Sequence, residues 1–307
     1  MNTTWKTILG TGLAAALVAC GGGGGGSGGG SDGFGTTGEL NLAITDAPVD
    51  GAEHVWITIT GVKLKRTGTD EEKLVDVIGN EITVDLLALS NGTTRLLFTE
   101  SIAAGEYQWA RFQLSDARIV WEGGGEDDLQ LPTQDELKTS GNFSVPSNGV
   151  AHYTVDWDLR KSIVEMGNSG NYKLKPVLHL RDDDNVGYIQ GHIDGTFIAD
   201  ECTGETDIPT LYVYNGHGIV PDDMGGAGVE PIASTKLPVS NDFYLGMLNP
   251  GNYTLAFTCN GDMDGPETDE TNLEVEFLDT LEVTVIQGEN VEFEDADYPF
   301  QDYIPAS

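Results

Sequence analysis

Three groups of residues in this chain have the types and spacing to do chemistry. Asn260-Gly261-Asp262-Met263-Asp264-Gly265 sets oxygen side chains at positions 1, 3 and 5 and glycine at 6, the opening of a loop that wraps calcium. Position 12 is Thr271 instead of a bidentate glutamate, so Asp269 or Glu270 would have to close the shell. A solvated acidic turn is the other reading. Cys202 and Cys259 are an even pair, suited to a disulfide in an oxidising compartment, to two buried thiols, or to zinc with His192 or His217. The third group is Cys20 itself, set between an apolar run and six glycines.

The apolar run, Ile8 to Ala19, is 12 residues long. A membrane-spanning helix needs about 20, whereas 7 to 15 apolar residues behind a basic one and before small residues form the core of a signal peptide. Lys6 supplies the charge and Ala19 the small residue, and Leu17-Val18-Ala19-Cys20 resembles the cleavage box of bacterial lipoproteins. The resemblance implies cleavage before Cys20 and acylation of its thiol. Three acyl chains, at about 0.8 kcal/mol per buried methylene, make a permanent anchor. Gly21 replaces the Asp that would favour inner-membrane retention, which points to the outer membrane with the leaflet left open. Residues 21–38 hold 12 glycines and cannot bury enough surface to offset their ordering entropy, so a random-coil tether is expected. At 5 to 6 Å times the square root of its length it would span about 25 Å.

Fifteen Lys and Arg stand against 50 Asp and Glu, a net charge of −35, or −36 once Lys6 leaves with the signal. That balance argues against a nucleic-acid partner, because the phosphate backbone demands a cationic footprint. It suits a solvated acidic shell, divalent cations or cationic partners. From Asn185 onward there are 24 acidic residues and one base, Lys236.

Signatures of catalysis are missing: there is no His-Glu-x-x-His, Gly-x-Ser-x-Gly, P-loop or Cys-x-x-Cys. The five histidines, His54, His152, His179, His192 and His217, have no ligand spacing. A non-catalytic protein is expected, for adhesion, scaffolding or partner binding. The alternatives are a polysaccharide-binding module, with Trp56, Trp109, Trp121 and Trp157 as stacking platforms, and a degenerate enzyme. In alternating strands such tryptophans more often enter the core.

The elements that must position these groups are strands. Leu40, Leu42 and Ile44 alternate with polar residues, as do Val55, Ile57 and Ile59, and Gly, Asn and Asp turns separate the runs. One helix is predicted, Leu159 to Met166, with Asp158 at its N-cap and Gly167 at its C-cap. Capping-box spacing at Thr133-Gln134-Asp135-Glu136 predicts a shorter turn. The fold class is mostly β: two antiparallel β-sandwich domains in series, with one short helix in the first. The expected divisions are a signal peptide at 1–19, the lipidated cysteine and tether at 20–37, a first sandwich at 38–184, a second, acidic sandwich at 185–297 and a tail at 298–307.

Four phrases identify the first sandwich by resemblance: Gly38 to Asp50, Val55 to Val62, Gly105-Glu106-Tyr107, and Asp156-Trp157-Asp158-Leu159-Arg160-Lys161-Ser162-Ile163. They resemble the bacterial envelope family catalogued as domain of unknown function 4382, over about 38–182. The resemblance implies a secreted or lipid-anchored β domain and assigns no activity. Phe243 to Phe257, with Pro250-Gly251-Asn252-Tyr253-Thr254 at its turn, is similar to the hairpin of transthyretin-like, carboxypeptidase-regulatory-type sandwiches over about 187–295. Gly105-Tyr107 and Gly251-Tyr253 share one design, a glycine turn, then Tyr, then an alternating strand.

Overall fold

Alternation becomes strand over most of the chain that the computed structural model describes, which is residues 36–47, 52–70, 72–90, 92–132, 136–167, 169–175, 177–204, 206–225, 228–261, 264 and 275–293. Thirteen strands make the first half. They are β1 (Thr37–Ala47), β2 (Ala52–Arg66), β3 (Glu72–Asp76), β4 (Ile82–Asp85), β5 (Arg95–Ala103), β6 (Gly105–Trp121), β7 (Glu126–Gln130), β8 (Glu136–Lys138), β9 (Phe143–Val145), β10 (Val150–Asp158), β11 (Ile163–Glu165), β12 (Tyr172–Leu174) and β13 (Leu178–Asp182). One sheet runs β13-β10-β1-β5; the other runs β11-β12-β7-β6-β2-β3, with β4 on β2 and both β8 and β9 on β6. Their inner faces meet over one apolar cluster that includes Leu40, Ile57, Phe112, Val155 and Trp157.

The second half contains β14 (Gly187–His192), β15 (Thr210–Asn215), β16 (Ala233–Lys236), β17 (Asp242–Leu248), β18 (Gly251–Thr258), β19 (Phe277–Val285) and β20 (Asn290–Phe293). Sheet β17-β14-β20 faces sheet β16-β15-β18-β19 across a second cluster that includes Ile189, Leu211, Phe243 and Phe257. Because side chains alternate, Tyr212 and Tyr214 leave the other face of β15 and build a small third cluster with Met224 and Ala256. Most ladders are antiparallel, yet β1–β10, β7–β12 and β14–β20 run parallel. The halves pack together, and residues from Gly35 to Ser307 form one compact unit containing every described strand.

Helix is scarcer in one place than expected and present in another where strand was expected. α1 spans only Leu159–Ser162. Asp158 caps it as predicted, accepting from Lys161 N at 3.1 Å, but Ser162 Oγ bonds back to Asp158 O at 2.6 Å, and β-branched Ile163 and Val164 leave to pair with β12. Tyr188 to Phe197 alternates in sequence as a strand would, whereas β14 stops at His192 and α2 (Gly195–Glu201) follows. Asp194 caps Thr196 N at 2.7 Å and turns Phe197 and Ile198 onto the second core. The turn predicted at Thr133-Gln134-Asp135-Glu136 falls largely outside the described residues. No helix among the described residues is long and apolar enough to cross a membrane.

Candidate functional site

Two places gather the charged and aromatic side chains: the seam between the halves and the outer face of the β2–β6 sheet.

At the seam, the single turn of α1 carries Arg160 out of the first half and into the second, where it is only 5% exposed. Its guanidinium lies 5.1 Å from the centre of the Tyr212 ring and donates to Ser234 Oγ at 3.1 Å and to the carbonyl of Gly261. A Cβ at Gly261 would collide with Thr210, so glycine is what lets this loop close over the sheet. Asp264 balances the charge. Its Oδ2 accepts from the Tyr212 hydroxyl at 2.7 Å and its Oδ1 from Met224 N at 3.0 Å. Burial pushes the Asp264 carboxyl and the Tyr212 phenol above their ordinary values, and the Arg160 charge works against both shifts. Beside it, Lys161 donates to the carbonyl of Pro231 and stands 3.8 Å from Glu230. A hollow behind α1 is lined by Asp46, Asp156 and Asp158. Burial raises the Asp156 carboxyl to about 6, against the pull of Arg181 at 3.6 Å, and it raises Asp158 as well.

The outer face comes from register. Val55, Ile57, Val62 and Leu64 of β2 and Ala110, Phe112 and Ala117 of β6 point inward, so their neighbours point outward. Lys65 lies opposite Trp109, Lys63 opposite Arg111 and Trp56 opposite Arg118, while Lys138 of β8 flanks Arg111. Arg111 covers the Trp109 ring at 4.5 Å and Lys138 covers it at 5.6 Å, which leaves the indole 8% exposed although it lies outside the core. Trp56 is half-buried, with Arg118 at 6.0 Å and His54 at 5.6 Å. His54 is held by Asp85 at 2.7 Å. Leu74, 51% exposed, extends the patch beside Lys63. The four tryptophans therefore divide. Trp157 is fully buried in the core, Trp121 is partly buried and donates to Asp127 at 2.7 Å, and Trp56 and Trp109 belong to the outer face.

Cys202 and Cys259 are disulfide-bonded, with their Cα atoms 5.2 Å apart, and join the end of α2 to the end of β18. The sulfurs thus bind each other, and neither zinc nor free thiols describes the pair. Of the calcium-loop residues, Asn260 accepts from Thr258 Oγ1 at 2.5 Å and Asp264 belongs to the seam. Asp262, Asp269 and Glu270 lie outside the described residues, as does Cys20. Sequence reasoning missed Arg160, whose hydrogen-bond partners are 74 to 104 positions away, and the outer face, for which the alternation of β2 held a signal.

What fold and side chains define is a mostly β protein of two packed sandwiches. Residues 37–176 match the model of a family described as "Domain of unknown function (DUF4382)", so the first sandwich carries that domain. None of the curated proteins matches the chain. Among the solved structures that are similar at low level, three illustrate the likeness. They are the Bacillus anthracis TIE protein (11% identity, 84% of this chain and 33% of that one, TM-score 0.21), the Bacillus cereus major pilin subunit BcpA (10%, 84% and 69%, 0.20) and the Streptococcus agalactiae minor pilin GBS52 (9%, 87% and 100%, 0.20). The chain spans about a third of the TIE protein. Such scores carry no argument about this molecule.

Proposed function

We propose that this is a non-catalytic cell-envelope lipoprotein, held at the outer membrane through acylated Cys20, whose two sandwiches form an adhesive or partner-binding module. The second sandwich is taken as transthyretin-like. The observation that most supports the reading is the outer face of β2, β6 and β8. In a chain of −35, Lys63, Lys65, Arg111 and Lys138 meet on one sheet surface around Trp109. Cations concentrated against the charge of the whole chain attract an anionic partner locally, and they do so without a pocket. In support of a non-catalytic role, Asp158 caps α1, Asp264 balances Arg160, and His54 is held by Asp85.

The same face favours a polysaccharide as the partner, because half-buried Trp56 stands outside the core on a face whose cations suit acidic groups on a glycan. The test is binding of the body, Gly35 to Ser307, to acidic and neutral envelope polysaccharides at rising salt. Saturable binding to an acidic polymer, weakened by salt and lost in Lys63→Glu with Arg111→Glu, is expected. Equal binding by that double variant would remove the face from the function, and turnover of a polymer would replace the reading with an enzyme. Cys20→Ser should leave the membrane fraction, and unchanged detergent partitioning would end the anchor.

A further inference from the structure

The cations of the first half reappear at a second place, where they meet a concave surface. Between β13 and the Asn249-Pro250-Gly251 turn of the second half lies a cleft of about 450 Å³, lined by Lys161, His179, Arg181, Asn215, Asn252 and Tyr253 among others. That volume falls within the roughly 300 to 1,000 Å³ of small-molecule sites. Its charge is unusual for this chain. The second half contributes no cation here, since Lys236 is its single base, yet the first half brings two. Glu230, paired with Lys161 at 3.8 Å, is the acid that lines it, and Asp156 meets Arg181 from behind at 3.6 Å. Arg181 Nε is buried, so the terminal amino groups of the guanidinium are what this residue can offer the cleft. Asn215, Asn249, Asn252 and the 3%-exposed Tyr253 also line it.

The geometry points to this cleft as a binding site for a carboxylated sugar residue, of the uronic-acid class. The Arg181 guanidinium suits a planar carboxylate, the Lys161 ammonium adds charge, and the amides of Asn215 and Asn252 offer hydrogen bonds to hydroxyls, Asn252 through its amino group because its Oδ1 already accepts from Thr284. His179, beside both cations, is held neutral: burial first, and then the charges of Arg181 and Lys161, lower it to about 4. It therefore adds no charge and serves as a reporter.

The experiment is titration of the body, Gly35 to Ser307, with glucuronate, glucose and inorganic phosphate at pH 7, followed by NMR at His179 and Tyr253. Glucuronate should saturate with shifts at both residues, while glucose and phosphate should bind at least tenfold more weakly. Arg181→Gln should weaken glucuronate roughly tenfold or more through loss of a charge-assisted bond. If that variant unfolds, Asn252→Asp, at an exposed position, places a negative charge against the carboxylate and should weaken binding similarly. The outer-face variant Lys63→Glu should bind as the parent does, so failure here and failure of the proposed adhesive face are distinguishable. Unmoved His179 and Tyr253 resonances at saturating glucuronate would overturn the site. Phosphate binding as tight as glucuronate would reduce it to a charge trap and overturn the sugar class.

Discussion

Tyr107 and Tyr253 make the same corner in different surroundings. Each follows a glycine turn, each is 3% exposed, and each hydroxyl donates to the carbonyl four residues back, Tyr107 to Ala103 at 2.7 Å and Tyr253 to Asn249 at 2.5 Å. In the first corner Gly105 adopts φ +135°, a conformation that L side chains rarely reach. What surrounds the corners differs. The first half closes around one cluster running from Leu40 to Leu178, whereas the second divides its apolar residues between two faces of one sheet. A divided core stabilises less per residue, because each part keeps more of its surface near water. The second half is correspondingly stapled, by a disulfide on one side and by Arg160 of its neighbour on the other. One local design thus serves both a self-sufficient sandwich and one that depends on cross-links.

Removing the neighbour's staple should break this comparison most. Arg160→Ala leaves Asp264 buried without its counter-charge, and removing one partner of a buried pair costs about 3 to 5 kcal/mol. Urea unfolding should show that loss, and hydrogen exchange should place it in β15, β16 and β18 while β1 and β10 stay protected. Uniform loss across both halves would mean that they unfold as one unit and that the asymmetry is not energetic. Reducing the Cys202–Cys259 bond comes next. Its 57-residue separation corresponds to about 4 kcal/mol at most in the chain-entropy model. The effect should again fall on the second half, and an unchanged melting temperature under reductant would remove the disulfide as a staple.

The staples were unequally legible. Two cysteines in a chain read as exported announce their pairing by number. Arg160 announces nothing, because in Leu159-Arg160-Lys161-Ser162 it reads as the polar side of a helix that was expected to run to Met166. The structure stops that helix after one turn, and it is the stop that aims Arg160 across the seam. The strands of both halves were readable because apolar residues recur at every second position wherever one sheet face is buried. α2 was not, since Phe197 fits either period and Asp194 acts only as a local cap. The outward side of β2 could have been read: with Val55 and Ile57 taking the inward positions, Trp56 has nowhere to go but out. Core statistics for tryptophan pointed the other way, and stacking by Arg111 and Lys138 explains how Trp109 is buried without joining the core.

The seam should also respond to pH, by a smaller amount. Asp156 lies near 3.8 when unfolded and about 6 when folded, so the folded chain holds a proton that the unfolded chain has released. The stability this contributes is fully present below about 4 and is lost as pH rises through 6. Between pH 5 and 7 the loss should be about 1.4 kcal/mol, one pKa unit's worth. The other acids of a −35 chain repel each other more as pH rises and act in the same direction, so the readout is a difference. The pH slope of stability in Asp156→Asn should be shallower than in the parent by that amount. An identical slope would show that Asp156 is not held protonated at the seam.

The smallest effect is the sharpest on the opening comparison. Tyr107→Phe and Tyr253→Phe each delete one hydroxyl and leave a carbonyl acceptor, Ala103 O or Asn249 O, without that donor. A hydrogen bond of this kind contributes about 0.5 to 1.5 kcal/mol, and the ring, which carries most of the buried area, remains in both variants. If the two corners are one device, the losses should agree within about 0.5 kcal/mol, the scatter expected of independent sites, and the double variant should show their sum. The surroundings give a reason for disagreement in one direction only. Tyr107 stacks on Phe143 at 4.8 Å, which fixes its ring from the side, whereas Tyr253 lines a cleft large enough to admit water. Water can replace a lost donor at the second corner and not at the first, so any inequality should leave Tyr107→Phe the more costly. Denaturant midpoints of the three variants, compared at equal m-value, decide it, and a larger loss at Tyr253 would mean that the second corner carries the interface as well as its own turn.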